Sequence, residues 1–222
     1  MNTATNHHPQ NAVARETPEG GVLAALRPAL SLFVLLTLVT GVVYPLAVTG
    51  VAQGLFPHTA NGSIVTVGGK PVGSTLIGQS FSAPKYFWGR PSATGPMANN
   101  GLASSGSNLG SNNPALLDAV KDRIATLRAA DPGNTQPVPV DLVTASGSGL
   151  DPEIRLAAAL YQAPRVARER GLAPEAVRAL IDRHAQTPWL GVVGEPRVNV
   201  LALNLALDGK VAAPAHPTRR VD

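Results

Sequence analysis

Residues 29–47 read Ala-Leu-Ser-Leu-Phe-Val-Leu-Leu-Thr-Leu-Val-Thr-Gly-Val-Val-Tyr-Pro-Leu-Ala, inside a run of 42 residues, Pro28 to Gly69, that carries no Asp, Glu, Lys or Arg. About 20 such residues in a helix cross a hydrocarbon core of roughly 30 Å. Twelve Leu, Phe and Val side chains lie between Leu30 and Val48. At about −0.5 kcal/mol each they favour insertion by roughly 6 kcal/mol. Ser31, Thr37 and Thr40 can bond back to their own helix and oppose insertion weakly. A cleaved signal peptide has an apolar region of about 7–15 residues, and a soluble core helix keeps a polar face. The reading is therefore one transmembrane helix over residues 27–55, with signal peptide and core helix as the alternatives. Pro45 beside Tyr44 reads as a helix end with an interfacial anchor. The alternative is a kink where Gly41 and Gly50 let a partner helix approach.

Arg15 and Arg27 precede the span, and the next charge after it is Lys70. Positive residues stay inside, so residues 1–26 are expected as a cytoplasmic, mostly disordered tail. The chain from Phe56 onward is expected outside, in the periplasm of a bacterium, anchored once in the inner membrane.

Composition narrows the rest. The 222 residues hold 18 Lys and Arg against 14 Asp and Glu, a net charge of +4. Charged residues are 14% of the chain, against about 25% in an ordinary soluble domain. Zero cysteines exclude a disulfide framework and Cys-based metal or thiol chemistry. Aromatic residues are 4% and the basic residues are scattered, which argues against nucleic-acid binding.

Residues 56–208 read as one α+β domain. Ile64, Val65 and Val67 lead into Gly68-Gly69-Lys70-Pro71-Val72, a hairpin with glycines in the turn. Tyr86-Phe87-Trp88 reads as a strand feeding the core. In the following stretch, Gly89–Asn113, 15 of 25 residues are Gly, Ser or Asn and the only charge is Arg90. A loop of that length is functional or disordered, and it stands as a docking loop or a plain surface loop. Asn113-Pro114 starts a helix with its apolar face on Leu116, Leu117, Val120, Ile124 and Leu127, stopped by Asp131-Pro132-Gly133. Val138, Val140 and Leu142 alternate as a strand does. Asp151-Pro152-Glu153 is expected to cap a helix that Pro164 interrupts and Gly171 ends, with Ile154, Ala157, Ala158 and Tyr161 facing the core. Ala173-Pro174-Glu175 opens another. Val198–Leu207 fits either a helix capped by Asn199 or a strand. Residues 209–222 read as a flexible tail.

Motifs for chemistry are sparse. G-x-x-x-x-G-K-[ST], H-E-x-x-H and G-x-S-x-G are all absent. Ser146-Gly147-Ser148-Gly149 could offer amides to an anion, but the carboxylate of Asp151 competes for them, so a structural turn is favoured. Five His and many Ser leave a triad arithmetically possible, but nothing specifies one. His184 reads as a helix-end histidine, and His7-His8 as an incidental polar pair. Arg165, Arg168 and Arg170 read as a solvated basic face, with a contact to an acidic partner or phosphate as the alternative. No catalytic residue and no metal ligand is assigned.

Several segments in order resemble the C subunit of Kdp-type potassium-transporting ATPases, the KdpC family. They are Thr40-Gly41-Val42-Val43-Tyr44-Pro45-Leu46, Leu76-Ile77-Gly78-Gln79, Tyr86-Phe87-Trp88-Gly89-Arg90-Pro91-Ser92-Ala93 and Gly106-Ser107-Asn108-Leu109-Gly110. Residues 141–152, Asp-Leu-Val-Thr-Ala-Ser-Gly-Ser-Gly-Leu-Asp-Pro, follow, then Tyr161-Gln162 with Arg165-Val166-Ala167, and Gly194-Glu195-Pro196-Arg197-Val198-Asn199-Val200-Leu201. They span roughly residues 26–208. Ser105 departs from the glycine pair of the family pattern before Ser107. The Asp-Lys-Thr-Gly-Thr motif of P-type pumps is absent, so this chain is not the phosphorylated subunit.

The resemblance implies a non-enzymatic accessory subunit needed for assembly and activity of an ATP-driven potassium uptake complex. Its partners would be a channel-like potassium-binding subunit and an ATP-hydrolysing subunit. It also implies a catalytic chaperone that raises the pump subunit's affinity for ATP, with Gln162 as the nucleotide contact. The topology read above separates Gln162 from cytoplasmic ATP, so that effect would pass through the pump subunit as a coupling between sites. A membrane-tethered periplasmic hydrolase and a free-standing binding module are the competing readings.

Overall fold

The computed structural model describes residues 22–187 and 194–210. The readings of residues 1–21, including His7 and His8, and of the tail from residue 211 lie outside the described residues; residues 22–26, expected in the disordered tail, are helical. The chain divides into two units, up to Pro57 and from His58 onward.

The described part of the first unit is helical. Helix α1 spans Val22–Leu38, a π-turn Val39–Val43, and helix α2 Tyr44–Leu55. Together they form one apolar helix of 34 residues, Val22–Leu55, long enough to cross a membrane. At 1.5 Å per residue it extends about 51 Å. The helix does not end at Pro45, although the sequence there reads as a helix end. Pro45 has no N–H, and its ring needs clearance from the carbonyl four residues back. The extra residue of the π-turn provides that clearance, and the Tyr44 N–H bonds Val39 O five residues back. Ser31 Oγ and Thr40 Oγ1 donate to Arg27 O and Leu36 O, at 2.9 and 2.7 Å, as expected of hydroxyls in an apolar helix.

The second unit is mixed α and β. After the short helix α3, Pro57–Ala60, strands β1, Ile64–Val67, and β2, Lys70–Ser74, form the expected antiparallel hairpin. Gly68 and Gly69 take φ of 57° and 76°, as a two-residue type I′ turn requires. Helix α4 spans Pro114–Ala130, with the Asn113 side chain accepting from Ala115 N. Val140–Leu142 is a 3-10 turn rather than a strand. The alternation in sequence does not carry over to burial, because the turn exposes Val140 and buries Asp141, Leu142 and Val143 in succession.

Three short strands then form an antiparallel sheet in the order β3-β5-β4, with β3 Glu153–Arg155, β4 Ala185–Gln186 and β5 Arg197–Asn199. Asp151-Pro152-Glu153 therefore leads into a strand, not a helix. The Asp151 carboxylate accepts from Glu153 N at 3.0 Å and the chain stays extended until α5 begins at Leu156. Helix α5, Leu156–Arg170, runs through Pro164 without a break and ends on Gly171 at φ 63°. Helix α6, Pro174–His184, is where it was expected. Residues 197–207 turn out to be strand and helix in succession: Asn199 closes β5, and its side chain caps α7, Val200–Leu207, by accepting from Ala202 N.

The core centres on α5. Ala158, Ala159, Ala163, Val166 and Ala167 are buried among Ile154 and Val198 of the sheet, Val177 and Ile181 of α6, and Leu203 of α7. The small residues let α5 approach its neighbours closely. Full burial of each Val, Ile or Leu contributes about 1.5–3 kcal/mol.

Candidate functional site

The centre of the unit from His58 onward is polar as well as apolar. On α5, Ala158, Gln162 and Arg165 recur at helical spacing and face inward. Gln162 and Arg165 are 1% and 2% exposed. What they face is the segment Pro84–Arg90, of which only Phe87 is fully buried, and which is not the strand its aromatic residues suggested. Its backbone groups bond to side chains instead of to a neighbouring strand. Trp88 N donates to Gln162 Oε1 at 2.8 Å, and Gln162 Nε2 donates to Trp88 O at 3.1 Å. Asn204, from α7, does the same for Phe87: Phe87 N to Asn204 Oδ1 at 2.9 Å, and Asn204 Nδ2 to Phe87 O at 2.9 Å. Two carboxamides thus imitate the ladder of a β-sheet on two consecutive residues. This places the fully buried Phe87 ring in the core.

Arg165 completes the clamp. It donates to Pro84 O, to Tyr86 O at 3.1 Å and to Gln162 Oε1 at 2.7 Å. Its guanidinium lies 4.4 Å from the centroid of the Trp88 ring. Burial pulls its pKa down to about 10, opposed chiefly by Asp131, so it remains a cation at neutral pH. Of the other two arginines, Arg168 stays half exposed, as the solvated-face reading expects, and pairs with the buried Asp131 at 2.8 Å, whereas Arg170 is largely covered and pairs with Asp208 at 2.8 Å. Arg170 also lies over the Tyr86 ring, at 4.8 Å. The Tyr86 hydroxyl donates to Asp208 at 3.0 Å. That hydrogen bond, with burial, raises the Tyr86 pKa. Burial opposes ionisation of Asp208, but the bonds from Arg170 and Tyr86 outweigh it and hold its pKa below the usual carboxylate value. The spacing of residues 158, 162 and 165 was the signal available in the sequence. The acidic partners, 34 or more residues away, had no such signal.

The glycine- and serine-rich segments meet. Ser105 N donates to Ser148 O, Ser92 Oγ to Gly149 O and Ser146 N to Pro91 O, at 3.0, 2.7 and 3.1 Å. Gly149 sits at φ 68°, and a Cβ there would lie 2.6 Å from Ser105 O and 2.5 Å from Thr94 Cγ2. Ser146–Gly149 is accordingly a packed turn, and Asp151 caps no helix. It pairs instead with Arg90 at 3.1 Å. Residues 95–113 contain no helix or strand, yet the loop is tied to the preceding Ser92 and Thr94 and to itself. Asn99 N donates to Ser92 Oγ at 2.9 Å, Asn100 N to Thr94 Oγ1 at 3.0 Å, and Asn100 Nδ2 to Gly95 O at 2.8 Å. Its apolar residues point out: Leu102 is 99% exposed and Met97 65%. His184 ends α6, with Nδ1 2.9 Å from Leu180 O.

Two clefts flank Arg90. One, of about 370 Å³, carries Arg90, Asp141, Asp151, Glu153, Arg155 and Glu195, with opposite charges paired across it. The other, of about 360 Å³, lies between α4 and residues 79–99. Among the described residues no group of three or more His, Asp or Glu is placed to hold a metal ion.

The fold defines a class of protein with one helix long and apolar enough to cross a membrane, followed by an α+β domain whose buried polar side chains hold its own backbone. The family model "K+-transporting ATPase, c chain" matches residues 26–209. The chain is 66% identical over 185 residues to the potassium-transporting ATPase KdpC subunit of Janthinobacterium sp. (strain Marseille), covering 83% of this chain and 98% of that one. It is 69% identical over 183 residues to the subunit of the same name from Polaromonas naphthalenivorans (strain CJ2), 82% and 93% of the two chains. To that of Ralstonia nicotianae it is 61% identical over 204 residues, 92% and 98%. The chain belongs to the KdpC family, a subunit of the K+-transporting ATPase complex.

Proposed function

We propose that this chain is the non-catalytic, membrane-anchored accessory subunit of a high-affinity potassium uptake complex. The Val22–Leu55 helix crosses the inner membrane once, with the N-terminus cytoplasmic and the α+β domain periplasmic. Its partners are the channel-like potassium-binding subunit and the ATP-hydrolysing subunit. Potassium is the cargo of the complex and ATP its fuel. The subunit supports assembly and raises the pump's ATP affinity. The domain sits over the outer mouth of the channel-like subunit and docks there through the neutral loop Gly95–Asn113. That loop presents exposed Met97 and Leu102 from a hydrogen-bonded frame.

The observation that carries this reading is the carboxamide of Gln162, which has both ends engaged with Trp88 and Arg165. A residue so committed influences nucleotide affinity through the segment it holds. The ATP effect therefore runs through the pump subunit by a shifted conformational equilibrium.

Deletion of residues 95–113 tests the docking. The complex should lose the subunit or its potassium affinity, and unchanged transport with full retention would remove the proposal. A reporter fused to the C-terminus tests sidedness: activity of a periplasm-dependent reporter is expected, and activity of a cytoplasm-dependent one would reverse the topology.

A further inference from the structure

The second cleft, about 360 Å³ between α4 and residues 79–99, has a floor of Phe81, Trp88, Leu127 and Leu142. Its size lies within the range of small-ligand and side-chain pockets, about 300–1,000 Å³. Two guanidiniums line it, Arg90 and Arg123, and no carboxylate does. The Arg90 charge is met by Asp151. Arg123 donates one N–H to Val143 O at 2.8 Å, and among the described residues no carboxylate stands within ion-pair distance of it. Of the cleft's two cations, then, only Arg123 is uncompensated, and it stands beside an apolar floor. Ala98 and Asn99 form part of the wall, and both belong to the loop assigned to docking.

We propose that this cleft receives an acidic segment of the channel-like subunit. A carboxylate pairs with Arg123 while a neighbouring apolar side chain lies against Trp88 and Leu127. Charge complementarity selects such an occupant, because a charge-assisted pair with a guanidinium is among the stronger polar contacts and a basic segment would be repelled. Continuity with Gly95–Asn113 makes loop and cleft one interface. The inference rests on the accessory-subunit reading.

The test uses the tagged full-length chain purified with its complex from membranes. Arg123→Glu should lower the amount of co-eluting channel-like subunit at least tenfold, and Arg123→Lys should retain most of it. Ala98→Trp, which puts a large ring into the wall of the cleft, should also release the partner. A benzoylphenylalanine photocrosslinker at Thr126, on the rim, should label a partner peptide containing Asp or Glu. Retention like wild type in both Arg123→Glu and Ala98→Trp would overturn the proposal. So would crosslinks only to lipid, to an acid-free segment or to nothing. Thermal melting of each variant separates local from global damage, and where Ala98→Trp unfolds, Arg123→Glu decides. If the wild-type chain itself retains no partner, the accessory reading fails. If wild type and both variants retain it alike, only this cleft assignment fails.

Discussion

Replacing Gln162 by Leu removes one side chain of similar size and four hydrogen bonds. Trp88 N loses its acceptor at 2.8 Å, Trp88 O its donor at 3.1 Å, and Arg165 Nη2 its partner at 2.7 Å. Ala158 O also loses a donor at 3.2 Å, but it lies within a helix. Three groups are left stranded away from water. An orphaned buried donor or acceptor costs about 1–3 kcal/mol, more when the group is charged. Taking about 1.5 kcal/mol for each of three groups and crediting the apolar Leu with a few tenths gives about 4 kcal/mol. A domain of this size shifts its melting temperature by about 2–4 °C per kcal/mol, so a loss of about 12 °C is expected. Thermal unfolding of the full chain in detergent, followed by far-UV circular dichroism, reads it. Gln162→Glu is the informative contrast. It keeps an acceptor for Trp88 N and a partner for Arg165 but turns an oxygen toward Trp88 O, so its loss should be smaller. A melting temperature within about 3 °C of wild type for Gln162→Leu would refute the clamp.

Gly149→Ala should destabilise the domain by more than 2 kcal/mol, since it combines a positive φ with a Cβ 2.6 Å from a backbone oxygen; chemical denaturation measures it. For the Arg170–Asp208–Tyr86 contact the signs are opposite at the two ends of the pH range. The carboxyl of Asp208 is held below its ordinary pKa, so its contribution is present above about pH 4 and lost as pH falls through the lowered value. The Tyr86 hydroxyl is held above 10, so its contribution is present below pH 10 and lost as pH rises through the raised value. Asp208→Asn should flatten both limbs of a plot of stability against pH. Exchanging Leu30–Leu46 for polyleucine should preserve membrane insertion and weaken assembly, because it erases the π-turn at Val39–Val43 and the small Gly41 surface; retention of partners after detergent extraction measures it.

The legible parts of the fold were those written in local chemistry. The apolar run, the Gly68-Gly69 hairpin, the Asn113 cap and the Gly171 stop each depend on neighbours within a few residues. What could not be read was whatever needed a distant partner. Tyr86-Phe87-Trp88 has the composition of a strand, but its ladder is supplied by Gln162 and Asn204, 74 and 117 residues along the chain. Asp151-Pro152-Glu153 has the composition of a helix start, but pairing of Glu153 with Asn199 across β3 and β5 overrides it and delays the helix by one strand. Arg165 and Arg170 look like part of a solvated face until the Pro84–Trp88 backbone and Asp208 are folded against them, while Arg168 stays half exposed beside Asp131. Gln162 stands out in the sequence only through the family resemblance. Its clamp on Trp88 appears only in three dimensions.

The central claim is that this chain works as an anchored subunit and not alone. Affinity purification of the tagged full-length protein from mild-detergent extracts of membranes, with mass-spectrometric identification of co-eluting chains, tests it most directly. Our account predicts a large channel-like membrane protein and an ATP-hydrolysing subunit in near-equal amounts with the bait. A bait recovered alone, or found mainly in the soluble fraction, would contradict it.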